Sequence, residues 1–329
     1  MAQMEASRTH EFELQQPPSD GISRVRFVRD SHLLLTSSWD GGVRLYDAAQ
    51  NQLKDQYSHK AAVLDVTSAG RSHAFSAGMD RRVVMHDWTT QTESIFGTHE
   101  KAVRCLEYSE PQGLLFSGSW DSTVQVWDVS ARQCVQSIAL PDKAYTMDVS
   151  ASRLIVGCAD RQIWVWDLRN LNAPSEKRQS SLKFQTRCVK LFPDDTGYAT
   201  ASIEGRVAID YFSAEQQDRK YAFKCHRATI DGVHTVWPVN CIAFHPIGTF
   251  ATGGCDGYVN VWDGQNKKRL CQFHKYPTSI ASLDFSSDGQ YLAIASSYTF
   301  EEGERDHPLD QVFVRQVAEA EVKPKARGQ

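Results

Sequence analysis

Three polar side chains of the types used in hydrolytic catalysis occur near one another in the chain: His99, Ser117 and Asp121. A serine, a histidine and an acid can form a nucleophilic triad when the serine is exposed beside an oxyanion hole. In this chain versions of the set recur, whereas a hydrolase needs one exposed nucleophile. Together with Trp127, the three are therefore predicted to form a buried hydrogen-bonded chain that fixes the register of a repeat.

A second chemically capable group is a set of cations concentrated in one stretch, and its members are Arg187, Arg206, Arg219, Lys220, Lys224 and Arg227. Such charges usually form a solvated surface. Arginine forks, however, match the oxygens of carboxylate and phosphate groups, and lysine adds a point charge. Because Arg206 follows a tight Glu204-Gly205 turn and Lys224 lies in the adjacent outer strand segment, the set predicts a site that accepts anionic groups.

Two tryptophans occupy positions that packing does not readily explain. Trp39 and Trp120 directly precede the aspartates Asp40 and Asp121, where the other copies of the pattern have Met79, Ala159, Ile203 and Cys255. A turn residue cannot easily bury an indole, and an exposed indole is costly unless a partner covers it. Aromatic anchors of this kind contribute about 2 kcal/mol or more each to an interface. Partner binding is thus favoured over packing of each indole on a neighbouring loop.

The elements that must position these side chains are copies of one repeat. It is clearest at Gly118 to Asp128, Gly-Ser-Trp-Asp-Ser-Thr-Val-Gln-Val-Trp-Asp, and its turn acid recurs at positions 40, 80, 121, 160, 204 and 256. This period is close to the ~40 to 45 residues of a WD-repeat blade, which contains four strands. The chain is therefore predicted to be an all-β protein, a seven-bladed WD40 β-propeller.

Closure of the ring is predicted from the two ends of the chain. The last repeat supplies only three strands, and the short strand Glu11 to Gln15 provides the fourth, which removes two exposed sheet edges. Residues 11–318 are predicted to form a single domain between a disordered N-terminus, 1–10, and a disordered tail, 319–329. The wide spacing between Glu204 and Asp256 predicts a longer loop between blades five and six.

Composition narrows the class of protein. The formal charge of −4 argues against a protein that mainly coats nucleic acid, and the eight cysteines are scattered without a Cys-x-x-Cys pair, as in a reducing compartment. The N-terminus is polar and no apolar run approaches the ~18 residues of a membrane span, so neither a signal peptide nor membrane insertion is expected. No phosphate-binding loop, metal-ligand spacing or nucleophile elbow is present. We therefore expect no catalytic activity, cofactor or metal.

Several segments resemble those of a known family. The most specific are Ser38-Trp39-Asp40, Gly118-Ser119-Trp120-Asp121, Ser181 to Arg187, Ser202 to Ala208, Tyr221 to Arg227 and Tyr276 to Leu283. In these segments, and over nearly the whole chain from Glu11 to about Pro324, the sequence is similar to the mitotic checkpoint WD-repeat proteins of the budding-uninhibited-by-benzimidazole group. These are small propellers that carry checkpoint kinases to kinetochores.

The resemblance implies an adaptor of the spindle assembly checkpoint with two ligands on one face. The GLEBS motif of a checkpoint kinase and of its pseudokinase relative is expected against Trp39 and Trp120, with its paired glutamates at Arg187. A kinetochore scaffold with phosphorylated Met-Glu-Leu-Thr repeats is expected nearby, its phosphothreonine held by Arg206 and Lys224. Components of the anaphase-promoting complex are further expected partners. The propeller alone is expected to be a monomer of the nucleus, of mitotic kinetochores and of a cytoplasmic pool.

Two other functions remain open from the sequence. A related propeller of messenger-RNA export at the nuclear pore also binds a GLEBS segment and adds nucleic acid, although the net negative charge disfavours RNA binding. The substrate receptor of a ubiquitin ligase is a third possibility for any propeller.

Overall fold

The computed structural model describes residues 10–324, in which the regular structure is almost entirely β-strand. The chain forms seven four-stranded antiparallel sheets and one separate two-stranded hairpin. Its first strand, β1 (Glu11–Glu13), joins the last sheet, whereas the following strands form sheets in chain order. The innermost strands of successive sheets contact one another around a closed ring, which confirms the predicted seven-bladed propeller.

Blades one to four each use four consecutive strands, which are ordered from the centre of the ring outwards. Blade one contains β2 (Ile22–Phe27), β3 (Leu33–Ser38), β4 (Gly42–Asp47) and β5 (Gln52–Ser58). Blade two contains β6 (Val63–Ala69), β7 (His73–Gly78), β8 (Arg82–Asp87) and β9 (Thr92–Thr98). Blade three contains β10 (Val103–Ser109), β11 (Leu114–Ser119), β12 (Thr123–Asp128) and β13 (Gln133–Ala139). Blade four contains β14 (Ala144–Val149), β15 (Arg153–Cys158), β16 (Gln162–Asp167) and β17 (Glu176–Gln179).

The remaining blades include the hairpin and the ring closure. Blade five contains β18 (Thr186–Leu191), β19 (Gly197–Ser202), β20 (Arg206–Tyr211) and β21 (Tyr221–Lys224). The hairpin of β22 (Arg227–Ile230) and β23 (Val233–Val236) follows. Blade six contains β24 (Val239–Phe244), β25 (Phe250–Gly254), β26 (Val259–Asp263) and β27 (Lys268–Gln272). Blade seven contains β28 (Ile280–Phe285), β29 (Tyr291–Ser296), β30 (Gln311–Gln316) and, outermost, β1.

The core lies between neighbouring blades. Strands β11 and β12 place Leu115 and Trp127 in one buried cluster with Phe75 of blade two and Leu106 of β10. Full burial of a large apolar side chain contributes about 1.5–3 kcal/mol. Since each cluster joins two sheets, the same contacts that stabilise a blade also hold it against its neighbour.

The N-terminal strand closes the ring as the sequence predicts. Strand β1 pairs antiparallel with β30, with Glu11 opposite Arg315. The Glu11 carboxylate accepts hydrogen bonds from Tyr276 Oη at 2.7 Å and from Arg315 Nη1 at 3.2 Å, and it lies 2.6 Å from His274 Nε2. The first and last segments of the chain are therefore fastened by a shared carboxylate as well as by backbone pairing.

The expectation of a disordered tail from residue 319 is wrong for its first residues. Glu319–Val322 form a short helix, α1, in which Val322 is buried against the core of blades six and seven. Glu321 Oε1 also accepts a hydrogen bond from Arg315 Nη2 at 2.6 Å. The rest of the predicted tail beyond residue 324, and residues 1–9 of the predicted N-terminal segment, lie outside the described residues. A single domain over 11–318 stays a prediction.

The long connection between blades five and six is a β-hairpin instead of an irregular loop. Its turn is Asp231-Gly232, with φ values of 50° and 79°. Asp-Gly is among the two-residue sequences most typical of a type I′ hairpin turn, because both central residues need positive φ. The turn sequence was the available signal for this hairpin. No helix within residues 10–324 is long and apolar enough to cross a membrane.

Candidate functional site

The candidate binding residues lie at one end of the ring. In blades one to six, the turn between the second and third strands meets the connection that leaves the fourth strand, as when His59 N donates to Gly41 O at 2.8 Å. We refer to this end as the upper face and to the opposite end as the lower face. The candidate binding residues at the upper face are Trp39, Trp120, Arg187, Arg206 and Lys224.

The residues that resemble a catalytic triad form a buried chain of hydrogen bonds. His99 Nδ1 lies 2.9 Å from Asp121 Oδ2, and His99 Nε2 lies 2.7 Å from Ser117 Oγ. Trp127 Nε1 donates to the same Ser117 Oγ at 2.8 Å. Ser117 is fully buried, and burial lowers the pKa of His99 against the raising effect of Asp121. A serine enclosed in this way cannot reach a substrate, so the set positions the upper-face turn.

Equivalent chains occur in two other blades. In blade two the turn acid and histidine are Asp80 and His59, 3.1 Å apart. In blade six His226 lies 2.8 Å from Asp256. The recurrence explains why one blade cannot be singled out for nucleophilic chemistry. Within residues 10–324, no three histidine, cysteine, aspartate or glutamate side chains are grouped as metal ligands.

Replacing Trp127 by phenylalanine should destabilise the protein by about 1–3 kcal/mol. The phenyl ring keeps part of the apolar contact, but Ser117 Oγ loses its indole donor within a buried network. Urea unfolding measures the loss. Trp164→Phe is a matched control. Trp164 Nε1 has no hydrogen-bond partner among the described residues, so this substitution removes no hydrogen bond. An equal loss in both variants would contradict a stabilising role for the Trp127 hydrogen bond.

Trp39 is held at an exposed turn of the upper face. Its side chain is 53% exposed. Asp40 orders the turn that carries it, because its carboxylate accepts from Gly42 N at 2.7 Å, Ser19 N at 3.0 Å and Arg44 Nη2 at 2.8 Å. An apolar surface is thus presented on a firmly fixed backbone.

The Asp40 contacts should make the stability of this turn depend on pH. Burial raises the pKa of Asp40, but hydrogen bonds from Arg44, Ser19 and Gly42 outweigh it and lower the pKa from 3.8 to about 2. A lowered carboxyl pKa stabilises the folded state above the ordinary value and ceases to do so as pH falls through the lowered one. Asp40→Asn should therefore reduce the unfolding free energy at pH 6 more than at pH 3. A pH-independent difference in urea unfolding would contradict this account.

Trp120 differs from the expectation that it faces outward like Trp39. Its side chain is only half-buried, but its Nε1 is enclosed and has no hydrogen-bond partner among the described residues. An enclosed unpaired NH group costs about 1–3 kcal/mol. The indole therefore packs in part on its own propeller, and only its remaining exposed surface is available to a partner.

Arg187 lies at the upper end of the innermost strand of blade five. Its Nη2 donates to Asn240 Oδ1 at 3.0 Å, and it forms no ion pair with a carboxylate of the described residues. Burial lowers the pKa of its guanidinium group from the ordinary value. Elsewhere on the innermost strands cations pair with carboxylates, as Arg26 Nη2 does with Glu107 Oε1 at 2.7 Å. Arg187 can thus accept a carboxylate without displacing one.

Arg206 and Lys224 are brought together by adjacent strands. They are directly opposite each other in the pairing of β20 with β21. Like charges in such a position are destabilising. Arg206 Nε lies 3.3 Å from Glu204 Oε2, whereas Lys224 is exposed and forms no ion pair with the described residues. An anion bound between the two cations would relieve their repulsion.

Lys224 also lines a cleft of about 560 Å³ between blades five and six, beside the hairpin. Further cations of the cleft are Arg227, Arg269 and Lys275, and its acid Asp256 is already bonded to His226. Sequence reasoning missed Arg269 and Lys275, because they belong to the next repeat and only the ring brings them to this cleft.

A family model described as "WD domain, G-beta repeat" matches residues 8–47, 90–128 and 223–263. "Mitotic checkpoint protein BUB3.1" of Arabidopsis thaliana is 53% identical, over 96% of this chain and 95% of the relative. "Mitotic checkpoint protein bub3" of Dictyostelium discoideum is 48% identical, over 95% and 97%. "mRNA export factor GLE2" of Chaetomium thermophilum is 35% identical, over 96% and 93%. A solved structure titled "Structure of U3-55K" is similar in fold, with a TM-score of 0.80 at 15% identity over 93% of this chain and 98% of that one.

Proposed function

The chain belongs to the mitotic checkpoint WD-repeat family of the budding-uninhibited-by-benzimidazole group and has a role in the mitotic spindle checkpoint, and we propose that it acts there as a non-enzymatic adaptor. One ligand is the GLEBS motif of a checkpoint kinase and of its pseudokinase relative. The other is a kinetochore scaffold with phosphorylated Met-Glu-Leu-Thr repeats. By holding both, the adaptor recruits the kinases to kinetochores.

The observation that carries this proposal is the placement of Arg206 opposite Lys224 at the upper face. A phosphothreonine brings about −1.5 to −2 charges and strong acceptor oxygens. Binding between the two cations replaces a repulsion by charge-assisted hydrogen bonds, while unmodified threonine offers no such gain. The site is therefore suited to read the phosphorylation state of a scaffold.

The GLEBS motif is assigned to the same face, against Trp39, Trp120 and Arg187. Trp39 offers an exposed indole surface, and Arg187 offers a half-buried guanidinium group without a carboxylate partner among the described residues. A segment with apolar side chains and paired glutamates complements both features. Trp39, Trp120 and Arg187 lie in blades one, three and five, so the GLEBS motif crosses the upper face of the ring. The phosphate site lies at the rim of blade five, and the two ligands therefore fit together on one face.

Components of the anaphase-promoting complex are additional partners, and the propeller alone is a monomer. It resides in the nucleus, with a cytoplasmic pool, and acts at kinetochores in mitosis.

A second candidate function is messenger-RNA export, which the similarity to the export factor and the cationic cleft at Lys224 support. The identity to that relative is 35%, compared with 53% to the checkpoint relative. The net charge of −4 also disfavours RNA binding.

Size-exclusion chromatography with purified components tests the adaptor function. The chain is mixed with a GLEBS peptide and a Met-Glu-Leu-Thr scaffold peptide, phosphorylated or not. We expect a ternary complex with the phosphorylated peptide only. Mutual exclusion of the two peptides would contradict an adaptor that joins them. A salt-dependent mobility shift of single-stranded RNA at physiological ionic strength would instead favour the export function.

A further inference from the structure

The cleft beside Lys224 has room for more than a phosphate group. Its volume of about 560 Å³ lies within the ~300–1,000 Å³ typical of ligand pockets. Blade five contributes Lys224, the hairpin contributes Ala228 and Ile230, and the outermost strand of blade six contributes Arg269. A peptide whose phosphate lies between Arg206 and Lys224 can therefore continue from Lys224 into the cleft.

Hydrogen bonds hold the hairpin in place beside the cleft. Arg227 Nη2 donates to Glu204 O at 2.6 Å, and Arg227 Nε donates to Gly205 O at 3.4 Å. At the base of the hairpin, Trp237 N donates to His226 O at 3.0 Å. Because these bonds join the hairpin to the turn of blade five, the cleft is already formed without a ligand.

The charges that line the cleft are predominantly positive. Lys224, Arg269 and Lys275 are all exposed, and none of them forms an ion pair with a carboxylate of the described residues. The one acid of the lining, Asp256, has its Oδ1 2.8 Å from His226 Nδ1. An acidic ligand therefore meets three cations that no carboxylate of the described residues neutralises.

The hairpin presents an apolar side chain to the same cleft. Ile230 is 49% exposed, and Ala228, two residues earlier in β22, lies on the same face of the hairpin. The next residue, Asp231, is exposed in the hairpin turn and does not line the cleft. The lining thus favours a segment that has both acidic and apolar side chains.

The Met-Glu-Leu-Thr motif has this combination in alternating order. In an extended segment, successive side chains point to opposite sides. The phosphothreonine and the glutamate therefore share one side, and the methionine and the leucine share the other. We propose that the three residues before the phosphothreonine lie in the cleft, with the glutamate at Arg269 and the two apolar side chains on Ile230. This placement rests on the proposed function, which puts the phosphothreonine at Arg206 and Lys224.

Single-stranded nucleic acid is the main alternative occupant of a cationic cleft. Proteins that bind such strands combine cations with aromatic side chains on which the bases stack. The aromatic residues of this lining, Trp237, Tyr258 and Trp262, are all partly buried, and its exposed apolar residue is the aliphatic Ile230. The lining therefore favours a peptide with apolar side chains over a strand of stacked bases.

Titrations that pair changes in the protein with changes in the peptide test the proposal on the full chain. The probe is a fluorescent phosphorylated peptide with the Met-Glu-Leu-Thr motif unaltered, with serine for both methionine and leucine, or with glutamine for the glutamate. Ile230→Ser should weaken binding of the unaltered peptide about 10-fold, because an apolar contact is lost, and should change binding of the serine peptide less than about 3-fold. Arg269→Gln should weaken binding of the unaltered peptide about 10-fold and of the glutamine peptide less than about 3-fold.

Ile95→Ser and Lys268→Gln are the matched controls. Ile95 is 56% exposed on the outermost strand of blade two. Lys268 directly precedes Arg269 on β27 and does not line the cleft. Both controls should bind the unaltered peptide as the unmodified protein does. All four variants should bind GLEBS peptide equally, which shows that each of them is folded.

The possible outcomes separate this proposal from the proposed function. If Ile230→Ser and Arg269→Gln leave the affinity unchanged, or weaken all three peptides equally, the cleft does not hold the motif and the proposal is overturned. Phosphate-dependent binding would still support the adaptor function in that case. Equal binding of phosphorylated and unphosphorylated peptide by the unmodified protein would contradict the proposed function itself. Displacement of the peptide by single-stranded RNA at physiological ionic strength, abolished by Arg269→Gln, would assign the cleft to nucleic acid and overturn the proposal.

Discussion

Arg206→Glu combined with Lys224→Glu is expected to weaken binding of a phosphorylated Met-Glu-Leu-Thr peptide by at least about 100-fold. Each cation can make charge-assisted hydrogen bonds of about 1.5–3 kcal/mol to the phosphate, and about 1.4 kcal/mol corresponds to a tenfold change in affinity. Reversal adds repulsion to the loss of these bonds. Isothermal titration calorimetry with the purified variant measures the effect.

The fold should survive this double change. Lys224 is exposed, and Arg206 is on the rim with its only ion pair among the described residues to Glu204. Lys54→Glu with Lys268→Glu is a control of equal net charge, because both lysines are exposed on the outermost strands of other blades. A similar affinity loss in this control would mean that overall charge, and not the paired cations, governs binding. Unchanged affinity in the Arg206/Lys224 variant would exclude the assigned phosphate site.

Trp39→Ala combined with Trp120→Ala is expected to release the GLEBS partner. Trp39→Ala alone should weaken binding of a GLEBS peptide by about 30-fold, which corresponds to the ~2 kcal/mol of an interface anchor. Trp39 is the more exposed of the two indoles, and the Asp40 carboxylate holds its turn in place through hydrogen bonds from Gly42, Ser19 and Arg44. Affinity by titration calorimetry and thermal unfolding of the free protein should be measured together.

The two tryptophan substitutions should differ in their effect on thermal stability in that experiment. Trp120 is partly packed on its own propeller, so Trp120→Ala should lower the melting temperature more than Trp39→Ala does. Met79→Ala is the matched control, because Met79 occupies the equivalent turn of blade two and is 41% exposed. Retention of the GLEBS peptide by the double variant would remove the indoles from the binding site. A loss with Met79→Ala as large as with Trp39→Ala would show that any upper-face turn matters equally.

The repeat pattern predicts the fold and the closeness of Arg206 to Lys224, because both depend on short-range order. The turn acids repeat at blade spacing, and Arg206 and Lys224 begin and end consecutive paired strands. Trp120 shows where this reasoning fails: its position in the repeat is that of Trp39, but its Nε1 is enclosed and has no hydrogen-bond partner among the described residues.

Two other differences have local causes. The Asp231-Gly232 turn between Ile230 and Val233 is a hairpin signal, whereas the sequence prediction rested on the wide spacing between Glu204 and Asp256, which gives the length of the connection and not its conformation. Helix α1 depends on one buried residue, Val322, and on the bond from Arg315 to Glu321. Neither contact leaves a periodic signal in a segment so short and polar.

The measurement that tests the central claim most directly is the affinity of the unmodified protein for one scaffold peptide in two states. A fluorescent Met-Glu-Leu-Thr peptide, with and without phosphate on its threonine, is titrated with the chain at physiological ionic strength in the presence of GLEBS peptide. A reader of phosphorylation should bind the phosphorylated peptide at least about 100-fold more tightly, because only the phosphate engages both Arg206 and Lys224. Equal affinities for the two peptides would contradict the account.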